Sequence, residues 1–339
     1  MATLYGILYA GNQLRYMDLT ETKDTFMVNN PFLGKSGIRG IESLTLFNDD
    51  VVFSGRTYDV RGGYDTGEYI FHLFSDAKPV IRRSSSFDFA VHNGKLIDAG
   101  FEHLSLADRD PNRSALPFLI SEEEMRSAGL SGFIGLGVDA EERLYAWAWK
   151  EGRNPNTRSP ETVATVLVNL DCCNNYYNVG KTVLTYNKRG GDCTRGILLP
   201  GGELRGEDGQ DYPFSALSTS FGDYLDLNGK KVEGSEAGKS NWWRDVRTIS
   251  LEGSQLEVLC SDYVGRVFTA LNIDLSSPKV VERRSIGSIR KEMDHTINRA
   301  LPITDEKWHT QLMERGRQMR SRGIKEFVPN IPSGGRGCC

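Results

Sequence analysis

The feature that most limits what this chain can fold into is a run of four short alternating segments between Val246 and Arg284. Val246, Thr248 and Ser250 alternate with Arg247, Ile249 and Leu251, the two-residue period of a half-buried strand. Glu252-Gly253-Ser254 is a tight turn in which glycine can take positive φ. Leu256, Val258 and Cys260 then alternate with Glu257 and Leu259. A break at Asp262 to Gly265 leads into Val267 to Leu271, and Leu275 to Pro278 turns the chain into a fourth strand at Val280-Val281. Four strands joined this closely form a small antiparallel sheet. Alone it leaves a face bare, so it must stack on neighbours like itself.

The same grammar recurs along the chain. Tyr5 to Val28 gives two alternating runs around Ala10-Gly11-Asn12, then a third strand. Ile41 to Gly55 reads as a hairpin turning at Asn48-Asp49-Asp50, and Tyr69 to Arg82 as a second. Phe87 to Gly100 repeats the first, with Asn93-Gly94 the strongest short hairpin signal present. Ala115 to Ser121 is expected to supply a third strand. Phe133 to Trp149 folds back around Asp139 to Glu142, and Val163 to Asn169 runs to a turn at Asp171-Cys172-Cys173-Asn174. Gly196 to Arg205 is expected as an inner hairpin and Tyr224 to Val232 as an outer one. Outer turns anchored at Thr20, Asp76, Glu122, Cys173, Asn228 and Ser276 are spaced 46 to 56 residues apart. The first unit lacks one strand, which a closing segment near Ser285 to Ile289 is expected to donate.

Six such units resemble six-bladed β-propellers over roughly residues 3 to 290. The resemblance rests on period and pattern. The Trp-Asp and Gly-His marks of WD40 repeats and the double glycines of kelch repeats are missing. The expected fold class is all-β: a β-propeller of six four-stranded blades with a short C-terminal helical tail. Two stacked sheets of a β-sandwich are the architectural alternative. The expected division is a propeller over 1–302, a basic amphipathic helix over 303–324 and a flexible tail over 325–339. In the helix, Thr304 is the expected cap, with Asp305 and Glu306 in the first turn.

With 39% hydrophobic and 25% charged residues the chain can build a sizeable core, and 36 glycines suit many turns. A net charge of −4 argues against nucleic-acid binding by the main domain. No apolar run reaches the length of a membrane span, and the start, MATLYGILYAGN, lacks the charged region and cleavage site of a signal peptide. The six cysteines form no CxxC pair, so zinc is poorly supported; Cys260 reads as core and the compartment as reducing and cytoplasmic. No cofactor is expected.

In a propeller the entrances of the innermost strands surround one channel. Arg39, Glu42, Asp88, Arg195, Asp245 and Arg247 lie near those entrances and would make a mixed-charge pocket for a small polar ligand. The plainer reading is that they are salt bridges between blades. For a metal-assisted hydrolase, Glu42, Asp88, His92 and Asp245 are candidates by position in the repeat alone, and the plainer reading of His92 is a satisfied or solvated histidine. No GxSxG elbow, HExxH or phosphate loop accompanies them, and GFIGLG at Gly132 lies within a strand. Trp147 and Trp149 share one face of a strand and read as core. Trp242-Trp243 follow a polar loop and are expected as an exposed aromatic contact.

Arg315, Arg317, Arg320 and Arg322 make the helical tail basic and are the expected partner-binding group. Cys338-Cys339 resembles the double-cysteine ends on which Rab-type proteins are prenylated, which with upstream basic residues would give a second route, to a membrane. Fold alone assigns no function. The functional expectation is a non-catalytic scaffold binding a protein partner through one face or the tail. The alternative is a metal-dependent hydrolase or glycan-acting enzyme with its active site in the central channel.

Overall fold

Two-residue turns set many of the strand boundaries. Asn48 and Asp49 hold φ of 47° and 59°, Asn93 and Gly94 50° and 68°, and Asn228 and Gly229 53° and 82°. A type I′ hairpin demands that left-handed pair, and Asn, Asp and Gly adopt it most readily. The computed structural model describes residues 5–10, 13–18, 23–28, 36–59, 65–72, 80–82, 86–100, 103–107, 118–153, 160–173, 176–186, 196–219, 223–238, 243–262, 267–288 and 300–321.

The first blade contains β1 (Tyr5–Ala10), β2 (Gln13–Asp18) and β3 (Lys23–Val28). The second holds β4 (Ser36–Phe47), β5 (Asp50–Asp59), β6 (Asp65–His72) and β7 (Val80–Arg82). The third holds β8 (Ser86–His92), β9 (Lys95–Gly100), β10 (Leu104–Leu106) and β11 (Phe118–Ile120), and a short helix α1 (Glu122–Ser127) follows. The fourth comprises β12 (Leu130–Val138), β13 (Leu144–Arg153), β14 (Pro160–Cys173) and β15 (Tyr176–Tyr186). β16 (Gly196–Arg205), β17 (Asp211–Ser218), β18 (Asp226–Leu227) and β19 (Lys230–Lys231) make the fifth. β20 (Trp243–Glu252), β21 (Gln255–Asp262), β22 (Val267–Asp274) and β23 (Lys279–Ser288) make the sixth. Last come β24 (Ala300–Ile303) and the helix α2 (Glu306–Ser321).

Among the described residues these strands form six four-stranded sheets, in the orders β24-β1-β2-β3, β4-β5-β6-β7, β8 to β11, β12 to β15, β16 to β19 and β20 to β23. The leading strands β4, β8, β12, β16 and β20 touch in turn, and β24 touches both β20 and β4, so the ring is closed. The molecule is an all-β propeller.

Its cores lie between blades. Phe47, Val52 and Ile70 of the second blade meet Phe89 and Leu96 of the third. Ile97 and Leu104 of the third meet Phe133 and Val166 of the fourth, with Met125 of α1 in the same cluster. Tyr145, Trp147 and Leu167 face Tyr212, Phe214 and Ala216 of the fifth. Leu217 and Val232 face Trp243, Val246 and Leu271 of the sixth, and Cys260 is buried with them. Burial pushes the Cys260 thiol well above the ordinary cysteine range, as suits a core filler. From blade two to blade six, the sheets therefore get apolar cover from their neighbours, which is why such a blade does not stand alone.

Five sequence expectations shift. The closing strand is β24, with Tyr5 opposite Ile303 and Leu8 opposite Ala300. Ser285 and Ser288 instead prolong β23, opposite Thr269 and Val267, so they are already paired; Ile289 lies outside the described residues. The third strand of blade three is β10, and the segment ending at Ser121 supplies the fourth, β11; Glu122 belongs to α1 rather than to a turn. Gly196–Arg205 is one bulged strand, its register against β17 jumping between Pro200 and Leu204, with Gly201 at φ 75°. β14 runs on through Cys173, taking in Asp171 to Cys173 of the expected turn. Finally, Asp305 caps α2, its Oδ1 accepting from Lys307 N at 2.8 Å, one residue later than Thr304.

α2 lies against the ring. Leu312 is 1% exposed, the Tyr16 hydroxyl hydrogen-bonds His309 Nδ1, and Gln311 Nε2 donates to Asp49 Oδ1 at 3.1 Å. These contacts put the helix on the face that carries the β4–β5 turn, across blades one and two.

The turn from β12 to β13 depends on one carboxylate. Asp139 Oδ1 accepts from Glu141 N and Arg143 N at 2.9 Å each, and Oδ2 from Arg143 Nε at 2.7 Å and the Tyr145 hydroxyl at 3.1 Å. Burial opposes its charge, but the bonds from Arg143, Glu141 and Tyr145 outweigh that and hold its carboxyl below the usual aspartate value. A lowered pKa in the fold stabilises above the unfolded value and loses that contribution as pH falls through the folded one. We expect Asp139→Asn to cost about 1–3 kcal/mol near neutral pH. The gap from the wild type should narrow on acidification, measured by urea denaturation at a series of pH values. A gap independent of pH would show that the carboxylate charge contributes nothing.

Candidate functional site

β-bulges in the inner strands aim the polar residues. The pairing of β8 with β9 shifts between Ser86 and Asp88, and that of β20 with β21 between Trp243 and Asp245. An extra residue reverses the in–out alternation beyond it. In β20, Trp243 and Val246 consequently share the core cluster although they are three apart, while Asp245 and Arg247 reach the channel and Asp88 of blade three.

Asp88, Asp245 and Arg247 come together. Arg247 Nε donates to Asp245 Oδ2 at 3.2 Å, and its Nη2 stands 3.6 Å from Asp88 Oδ1. Asp88 Oδ2 accepts from Leu136 N of β12 at 3.1 Å, and Asp245 Oδ1 from Val246 N at 3.1 Å. Blades three and six are three steps apart in a ring of six, so Arg247 reaches across the channel to the opposite wall. Its side chain keeps 22% exposure while those of Asp88 and Asp245 keep 8% and 5%. Burial works against the guanidinium charge, yet Asp245 and Asp88 hold its pKa above the ordinary arginine value. Arg247 stays cationic throughout the working pH range.

Gly137, the last glycine of GFIGLG, serves packing between blades four and five: a Cβ there would come within 2.9 Å of Leu198 Cγ. At Gly135 a Cβ would meet the Trp147 ring and Asp88 Oδ2 only at ordinary contact, 3.5 and 3.7 Å.

The other expected residues are placed differently. His92 does not face the channel group: its Nε2 donates to the Glu142 carbonyl at 2.7 Å and its Nδ1 accepts from the Tyr177 hydroxyl at 2.8 Å. It fastens blade three to blade four, the satisfied histidine of the plainer reading, away from the channel group. Among the described residues no group of three or more His, Cys, Asp or Glu is placed to hold a metal ion. Trp243 is 3% exposed and its indole N–H donates to the Ser235 carbonyl at 2.7 Å, so it is core and not an exposed aromatic contact. Arg315 and Arg317 are exposed on α2. The side chains of Arg39, Glu42 and Arg320 lie outside what is described, as do Arg195, Trp242, Arg322, Cys338 and Cys339. Among the described residues no helix is long and apolar enough to cross a membrane.

No family model matches the chain, and no curated protein matches it in sequence. Similar solved structures include a luciferin-regenerating enzyme, 9% identical over 75% of this chain and 78% of that one with a TM-score of 0.39. Another is the Dos1 propeller, 10% identical over 85% and 81% with a TM-score of 0.40. A third is a quinonprotein alcohol dehydrogenase-like protein from Bacteroides thetaiotaomicron, 8% identical over 88% and 68% with a TM-score of 0.41. At such scores the architecture rests on the strand pairing described above.

Proposed function

We propose that the protein is a non-catalytic binding scaffold that engages a protein partner through the ring face carrying α2. The observation behind this reading is the helix itself: Leu312 is buried against the ring while Arg315 and Arg317 stand exposed beside it. A helix already docked on a closed ring loses little conformational freedom on binding, which favours recognition by a preformed surface. Its exposed arginines suit an acidic partner surface and speed encounter with it.

The test uses a fluorescent polyglutamate peptide as a stand-in for such a surface. Anisotropy titration of the full chain should show salt-sensitive binding, and Arg315→Glu with Arg317→Glu should weaken it roughly tenfold, two rim charges being reversed. Equal affinity in the double variant would remove α2 from the proposal.

A further inference from the structure

The sequence holds two Asn-Gly-Lys runs, Asn93 to Lys95 and Asn228 to Lys230, and each turns a hairpin. Their dihedral angles agree closely, with φ of 50° and 68° against 53° and 82°. In an Asn-Gly pair the side-chain amide is open to attack by the next backbone nitrogen, because glycine puts no Cβ in the way. Attack requires that nitrogen and the asparagine carboxamide to be free of other bonds. In this respect the two turns differ.

Asn228 is tied down. Its Oδ1 accepts from Ala216 N at 2.7 Å and its Nδ2 donates to Ser215 Oγ at 3.2 Å. The nitrogen that would attack, Gly229 N, donates to Asp226 Oδ1 at 2.7 Å. Asn93 lacks such ties. Its Nδ2 stands 3.4 Å from His92 Nε2, but that nitrogen gives its hydrogen to the Glu142 carbonyl and so offers no lone pair. Among the described residues nothing accepts from Gly94 N, and a Cβ at Gly94 would meet no atom within 4 Å. Asn93 and Gly94 are both exposed.

We propose that Asn93 is a site of spontaneous deamidation in the folded protein, and that the fold shields Asn228 from the same reaction. Gly94 N attacks Cγ of Asn93, and the side-chain nitrogen takes the Gly94 amide proton and leaves as ammonia, closing a succinimide. Water then opens the ring. Breaking the bond from Gly94 N to Cγ leaves aspartate, whereas breaking its bond to the backbone carbonyl carbon leaves isoaspartate. No oxidant or reductant takes part. Either product puts a negative charge beside His92, which fastens blade three to blade four, and isoaspartate also adds a methylene carbon to the β8–β9 turn.

The test incubates the full-length wild-type protein at mildly alkaline pH in water enriched in heavy oxygen. Peptide mass spectrometry after digestion then reads the label that hydrolysis leaves at each asparagine. Label should enter at Asn93 at least roughly tenfold faster than at Asn228, where three hydrogen bonds must break before the ring can close. In concentrated urea, where both turns are lost, the two rates should converge. No label at Asn93 in the folded chain, or label there no faster than at Asn228, would overturn the proposal. A gap that persists unchanged in urea would overturn the shielding by the fold.

Discussion

A chain ending at Arg299 is expected to lose the closed ring. The deletion removes β24, which pairs along Tyr5 to Leu8 of β1, and α2, which covers Tyr16. Ile303 and Leu312 are 5% and 1% exposed, and burying each contributes about 1.5–3 kcal/mol. Ile7 and Tyr16, at 2% and 1% exposure, would be uncovered in turn. The sum is roughly 5 kcal/mol or more before any ladder hydrogen bond is counted, comparable with the whole stability of an ordinary domain. β1 would also become a bare inner edge, inviting pairing with another chain. Urea denaturation and gel filtration should show a lost or much weakened cooperative transition together with self-association. A synthetic peptide spanning residues 300–321, added in trans, should restore the transition. A truncated chain that stays monomeric with an unchanged midpoint would mean that β24 is ornament.

The second large effect concerns Trp147, wholly buried between blades four and five. Trp147→Ala should cost about 3–5 kcal/mol, the loss typical of a large aromatic whose cavity cannot collapse. Gly196 gives the converse test. A Cβ there would come within 2.4 Å of Trp147 Cζ2 and 2.8 Å of the Leu217 carbonyl. Gly196→Ala should therefore destabilise by about 1–3 kcal/mol through overpacking. Combined with Trp147→Ala, the alanine methyl gains room from the cavity, so the double variant should be more stable than the sum of the single effects predicts. Strict additivity, read from urea midpoints, would show that the strain at Gly196 comes from the Leu217 backbone and not from the indole.

The repeat was legible because its signals are local. Leu256, Val258 and Cys260 alternate within one strand, and Asn93-Gly94 carries its turn geometry in two residues. The closing strand was not legible, since Ala300 to Ile303 is too short to show alternation and contains Pro302. Its partner, β1, is nearly the full chain length away. The channel residues Asp88, Asp245 and Arg247 could be listed from their place in the repeat, but their distances depend on ring closure. Trp243 was misplaced for a different reason. The polar loop before it suggested exposure, and the bulge between Trp243 and Asp245, which no residue type marks, is what separates core from channel. His92 carried no signal for its true role because both of its partners, Tyr177 and the Glu142 carbonyl, belong to the next blade.

Because β24 completes the sheet that β1 begins, the order of synthesis matters. The first twenty-eight residues are made long before residue 300 exists, and at about 5–20 residues per second that interval is more than roughly 10 seconds. During it β1 has an unfilled side, and the nascent chain can assemble blades two to six while blade one waits. A chaperone that shields Tyr5–Ala10 until translation ends would act at the one point where this architecture is exposed by its own topology.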